Sequence, residues 1–215
     1  MDGEILHGLL SRPDTDTHFY GVVAGVVTNN QDPDKMHRVK VRFPWLSTDD
    51  ESNWARVVCP MAGNRMGTYF LPEVGDEVLV AFEHGAIDHP YVIGSLWNGR
   101  DAPPESNDDG NNNCRTIRSR SGHVVRLNDE HGSECIEIID YTGDNKITIH
   151  STDGSLSIEA KGDLTIRSTA GKVSIAGTTG VEIKSQASAE FTAMASLDLK
   201  ATGPVSVKGA VINLN

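Results

Sequence analysis

The 215-residue sequence is short of positive charge, of cysteine, of long apolar runs and, in its second half, of aromatic side chains. Each shortage removes a class of protein. Nineteen Lys and Arg stand against 30 Asp and Glu, a formal charge of −11, the opposite of the basic face that phosphate-backbone binding needs. The three cysteines, Cys59, Cys114 and Cys135, are odd in number and far apart. They do not make a disulfide framework and fit folding in a reducing, cytoplasmic environment. Nowhere do about 18 apolar residues run together to cross a bilayer as a helix, and the start, MDGEILHGLLSRPDTD, lacks the apolar centre of a signal peptide. Export by a machine that needs no signal peptide stays open. No helical period of useful length occurs, and G-x-S-x-G, Walker and H-E-x-x-H patterns are absent.

What is present falls into two regions built by different rules. Residues 1–143 hold 23 acids and 12 bases, whereas residues 144–215 hold seven of each, so the whole net charge belongs to the front. Of 12 aromatic residues, only Phe191 lies beyond Tyr141.

The second region repeats. Apolar residues separated by one polar residue recur as Ile147/Ile149, Leu156/Ile158, Leu164/Ile166, Val173/Ile175, Val181/Ile183, Ala189/Phe191, Leu197/Leu199, Val205/Val207 and Ile212/Leu214, every seven to nine residues. Period-two alternation means strands with one apolar face, and the recurrent glycines, Gly154, Gly162 and Gly171 among them, mark corners. Such short strands bury that face only by stacking as a β-helix or solenoid. One chain folded on itself would give about three coils, a stub of roughly 15 Å at ~4.8 Å per layer, whereas three chains wound together would rise roughly 43 Å. The spacing therefore favours an intertwined homotrimer, with the paired residues from Ile147 to Val207 as its core. A single-chain solenoid enzyme or adhesin is the alternative, but the outward positions carry scattered, balanced charges and no cleft chemistry.

The first region reads as a small Greek-key barrel. FYGVVAGVVT (19–28), HRVKVRF (37–43) and VGDEVLVAFEHG (74–85) alternate, WARVVCPMA (54–62) reads as a buried run, and PYVIGSLW (90–97) follows. Turn-forming residues separate them. Five strands in about 80 residues suit an oligonucleotide/oligosaccharide-binding (OB) barrel. Trp45, Trp54 and Trp97 could stack bases, yet the acidic surroundings favour a packing role and no nucleic-acid partner. Cys114, His123, His131 and Cys135 lack the close ligand pairs of a zinc site, and Asp49, Asp50 and Glu51 read as a solvated loop. No metal, cofactor or catalytic residue is expected.

Taken together, DPDKMHRVKVRFPWLS, SNWARVVCPMAG, FLPEVGDEVLVAFEHG, HPYVIGSLWNGRDAPP and RSRSGHVVRLND resemble the spikes of contractile injection machines: the baseplate-assembly V and VgrG-type proteins of phage tails, type VI secretion and related particles. The resemblance covers roughly residues 19–215. It implies a non-enzymatic homotrimer assembled in the cytoplasm, with an N-terminal arm (1–18), an OB-fold barrel (19–97), a linker (98–113) and a β-helix needle (114–215). It further implies anchoring to a baseplate hub, here a separate protein, and transient passage through a target membrane on contraction. Relatives often carry a PAAR-repeat tip protein. A needle ending with its strands still running would offer Gly209, Val211, Ile212, Asn213, Leu214 and Asn215 as the docking place for such a tip or cargo. A carbohydrate-binding or hydrolase-carrying phage fibre is the alternative of another class.

Overall fold

The computed structural model describes residues 18–46 and 50–213. The expected N-terminal arm apart from His18, the tip residues Leu214 and Asn215, and Asp49 lie outside the described residues. The chain divides into two units between Lys161 and Gly162, and the fold is all-β as the alternation implies.

Five strands of the first unit close a barrel in the order β1 (Val22–Asn29), β2 (Arg38–Arg42), β3 (Ala55–Val57), β7 (Pro90–Leu96) and β6 (Glu77–Phe82). All neighbours run antiparallel except β3 and β7, which run parallel and close the ring. Period-two alternation decides what faces in. Val39 and Val41 of β2 and Val78, Val80 and Phe82 of β6 point inward with Val27, Phe43, Ala55 and Val92, while Arg38, Lys40 and Arg42 alternate outward. Gly25 on β1 is needed for this closeness, because a Cβ there would collide with Cγ1 of Val41. Phe43, Phe82 and Phe19 pack edge-on or tilted at one end, with ring centroids 5.6 and 6.1 Å from Phe82.

The stretch 54–62 departs from the buried strand its composition suggests. Pairing ends with the Val58 amide on the Val92 carbonyl, and Pro60, with no N–H to give, stands two residues further on. The chain then leaves the barrel as a hairpin of β4 (Ala62–Gly63) and β5 (Met66–Gly67), with Val58, Met61 and Met66 exposed. The tryptophans also stand outside the core: Trp45 and Trp97 are exposed, and Trp54 lies half-buried beneath the cations of Arg38 and Lys40.

A second sheet follows. β8 (Cys114–Arg118), β9 (Val124–Asn128), β10 (Cys135–Ile139), β11 (Lys146–His150) and β12 (Leu156–Glu159) form an antiparallel meander in chain order. Tight turns join them, and Gly122, Gly132, Gly143 and Gly154 supply positive φ at the reversals. The pairs Ile147/Ile149 and Leu156/Ile158 thus sit on hairpin partners, Ile147 opposite Ile158 and Ile149 opposite Leu156. Among the described residues, no strand follows Glu159.

Candidate functional site: the aliphatic face of the second sheet

Cross-strand register sorts the side chains of the meander onto two faces. On one, Ile117, Val125, Ile138, Ile147 and Ile158 form a row across all five strands. Beside it, Leu127, Ile136, Ile149 and Leu156 continue from Arg115 as a second row. Nine aliphatic side chains thus share one surface.

The opposite face is polar. Thr116, Arg126, Glu137, Thr148 and Ser157 occupy its central row, flanked by Arg118, Val124, Ile139, Lys146 and Glu159 on one side and Cys114, Asn128, Cys135 and His150 on the other. Its ionic contacts follow the register: Arg126 reaches Glu137 at 3.4 Å, and Lys146 reaches Glu159 at 3.3 Å.

Burial runs opposite to polarity. Thr148, in the middle of the polar face, is 5% exposed, whereas Ile138 and Ile158 on the aliphatic face are each 51% exposed. In water such a face is unfavourable by roughly 25 cal/mol per Å² of apolar surface left uncovered. A contiguous apolar patch of this kind marks an interaction surface rather than scattered surface residues.

The polar face is covered from the connecting segment. Oε1 of Glu105 accepts hydrogen bonds from the Thr116 hydroxyl at 2.7 Å and from Nη2 and Nε of Arg126 at 2.8 and 3.0 Å. The Thr116 hydroxyl, against some opposing desolvation, and then the Arg126 guanidinium hold the Glu105 carboxyl below the ordinary glutamate range. Burial opposes the charge on Arg126, but its two carboxylate partners outweigh that and raise its pKa.

In the barrel the main polar feature is a loop organiser. Asp32 accepts from Nε and Nη2 of Arg38 at 2.9 and 2.6 Å and from the amides of Asp34 and Met36 at 3.0 and 2.8 Å. These contacts, the Arg38 bond foremost, hold its carboxyl far below the usual range. Asp34, on the same arginine at 2.6 Å, completes the clasp.

The residues singled out from the sequence are distributed as follows. Ile147, Ile149, Leu156 and Ile158 come together on the aliphatic face. Leu164, Ile166, Val173, Ile175, Val181, Ile183, Phe191, Leu197, Leu199, Val205 and Val207 lie in the second unit, each more than half exposed. Gly209, Val211, Ile212 and Asn213 are likewise exposed. Glu51 is an ion-pair partner of Lys40 at 3.1 Å. His123 accepts the Tyr141 amide on Nδ1 at 3.2 Å, and Nδ1 of His131 lies 3.5 Å from Glu134. Among the described residues, no cluster of three or more His, Cys, Asp or Glu has metal-ligand geometry.

Five members of the aliphatic face escape the seven-to-nine-residue repeat: Ile117, Val125, Leu127, Ile136 and Ile138. Their signal is a different spacing. The pairs Val125/Leu127, Ile136/Ile138 and Ile147/Ile149 recur every 11 residues, the length of a five-residue strand plus a six-residue turn.

Residues 23–97 match the family model described as the type VI secretion system/phage-baseplate injector OB domain. Among curated proteins, the chain is 29% identical over 134 residues to the type VI secretion system spike protein VgrG3 of Vibrio cholerae serotype O1, covering 59% of this chain and 13% of that protein. It is 30% identical over 136 residues to the spike protein VgrG1a of Pseudomonas aeruginosa, covering 58% of this chain and 21% of that protein. It is 31% identical over 97 residues to the actin cross-linking toxin VgrG1 of Vibrio cholerae, covering 43% of this chain and 9% of that protein. The chain therefore spans between about a tenth and a fifth of the length of these relatives.

Proposed function

We propose, on the match of residues 23–97 to the injector OB domain of type VI secretion systems and phage baseplates, that the chain is the central spike of a contractile injection baseplate and works as a homotrimer. The supporting observation is the solvent-facing aliphatic surface, nine residues in two cross-strand rows on one side of a sheet whose polar side is the better covered. A second and third copy would bury these rows against one another. The apolar pairs from Leu164 to Val207 recur at eight- and nine-residue steps, as an intertwined three-chain β-helix requires.

In this reading residues 114–215 are the needle, the barrel anchors it to a baseplate hub, and the stretch from Gly209 on receives a PAAR-repeat tip or cargo protein. The needle is assembled in the cytoplasm, driven through a target membrane when a sheath contracts, and left in the target. The work is mechanical rather than catalytic: stiffness and threefold symmetry are what this chain contributes. Electron microscopy of particles from cells lacking the chain tests the proposal. Missing or hollow-centred baseplates are expected, and intact, firing particles would refute it.

A further inference from the structure

The 16 residues that join the barrel to the second sheet look, by composition, like a flexible tether: NGRDAPPESNDDGNNN, rich in Asn, Asp, Gly and Pro. Their contacts describe something else. At the barrel end, Asn98 donates from Nδ2 to Glu77 of β6 at 2.9 Å, and its own side-chain oxygen accepts the amides of Arg100 and Asp101 at 2.8 Å each. At the sheet end, Asn107 accepts the Asn112 amide at 2.7 Å through its side chain and the Gly110 amide at 3.1 Å through its carbonyl. The Asn113 carbonyl then takes the Asp129 amide at 2.9 Å, just beyond β9. Between these two closed turns stands Glu105.

Glu105 is the only residue of the segment that inserts a charge into the polar face. One oxygen serves both Thr116 on β8 and Arg126 on β9, and Arg126 is gripped from its other side by Glu137 on β10. Two strands are therefore joined to the segment through one carboxylate, and Arg126 passes the link on to a third. Glu105 and Arg126 are each 30% exposed, well short of the free solvation that leaves surface ion pairs nearly worthless. A second tie bypasses the segment: Nη1 of Arg120, in the turn between β8 and β9, meets Glu73 of the barrel at 3.0 Å. That pair is exposed and weak by itself, but it closes a loop through barrel, segment and sheet.

We propose that residues 98–113 act as a load-bearing strap rather than a tether, with Glu105 as the pin that fixes the barrel to the second sheet. Two flexibly linked bodies would swivel before any push or twist passed between them. A strap anchored at Asn98, at Glu105 and at Asn113 removes that slack. The proposal rests on the spike reading for its purpose, but its physical content, a fixed segment, stands on these contacts.

The test is hydrogen–deuterium exchange on the full-length chain, comparing the parent with Glu105→Ala and Thr116→Val. Amides of residues 102–113 are expected to be protected in the parent. Glu105→Ala should speed their exchange tenfold or more, and Thr116→Val, which removes one donor and leaves the arginine, should have a smaller effect. Val39, Val41 and Val78 in the same spectra report that the barrel is folded. Exchange at free-peptide rates in the parent, or equal rates in parent and Glu105→Ala with the barrel protected, would overturn the strap. Mass measurement on the same samples keeps the two readings apart, since loss of the trimer and loosening of the segment are separate readouts.

Discussion

Ile138 of β10 stands directly across from Ile147 of β11, and both side chains face solvent in a row of five such residues. A charge at either position would leave the strand pairing of one chain intact while spoiling any apolar contact between copies. We predict that the parent sediments near three times the 23.2 kDa chain mass and that Ile138→Asp or Ile147→Asp shifts it to the monomer. Sedimentation velocity at micromolar concentration decides it, and a trimer that survives both changes would remove this face from the interface.

The aromatic end of the barrel gives a stability prediction. Phe82 is 7% exposed and packs against Phe43 and Phe19, so Phe82→Ala should cost about 3–5 kcal/mol through lost contacts and a cavity. Urea unfolding followed by a barrel signal measures it, and a loss below about 1 kcal/mol would mean that the end collapses to fill the gap.

Gly25 and Val41 make a coupled pair. With its Cβ directed into Val41 Cγ1, Gly25→Ala should destabilise the barrel by about 1–3 kcal/mol through overpacking. Trimming the neighbour should relieve it. The double variant Gly25→Ala/Val41→Ala is expected to lose less than the two single changes added together, and strict additivity in a double-mutant cycle would show that the backbone moves instead.

The Asp32 clasp predicts a pH dependence. Arg38 and two backbone amides lower the folded-state pKa of Asp32 below its unfolded value. A group of this kind contributes fully above its unfolded pKa, about 3.9 for aspartate, and its contribution fades as pH falls below that toward the folded value. Parent barrel stability should therefore drop on acidification below about pH 4, and Asp32→Asn should be weaker at neutral pH with a flatter acid limb. Denaturation midpoints between pH 2 and 7 would show it, and parallel curves for the two proteins would exclude Asp32 as a source.

Much of the barrel is written in its alternation: Val39/Val41 and Val78/Val80/Phe82 declare their inward face without reference to any other strand. The end of β3 was less legible, because VVCPM is apolar enough to read as buried while Pro60 quietly stops the ladder. The aliphatic face was half legible. Ile147 and Leu156 fit the seven-to-nine-residue repeat, but Val125 and Ile136 follow an 11-residue hairpin period and belong to the same surface only through register. Glu105 could not have been found from local sequence. Its partners lie 11 and 21 residues further on, and only the antiparallel return of β9 along β8 sets Thr116 beside Arg126.

The lack of strands after Glu159 among the described residues bears on the order in which the protein is made. The barrel and the meander find their backbone partners within one chain, so their formation is first order and independent of concentration. In the proposed assembly the apolar pairs from Leu164 to Val207 would gain order only in company. That step would slow on dilution, begin where the meanders first meet, and zip toward the C-terminus.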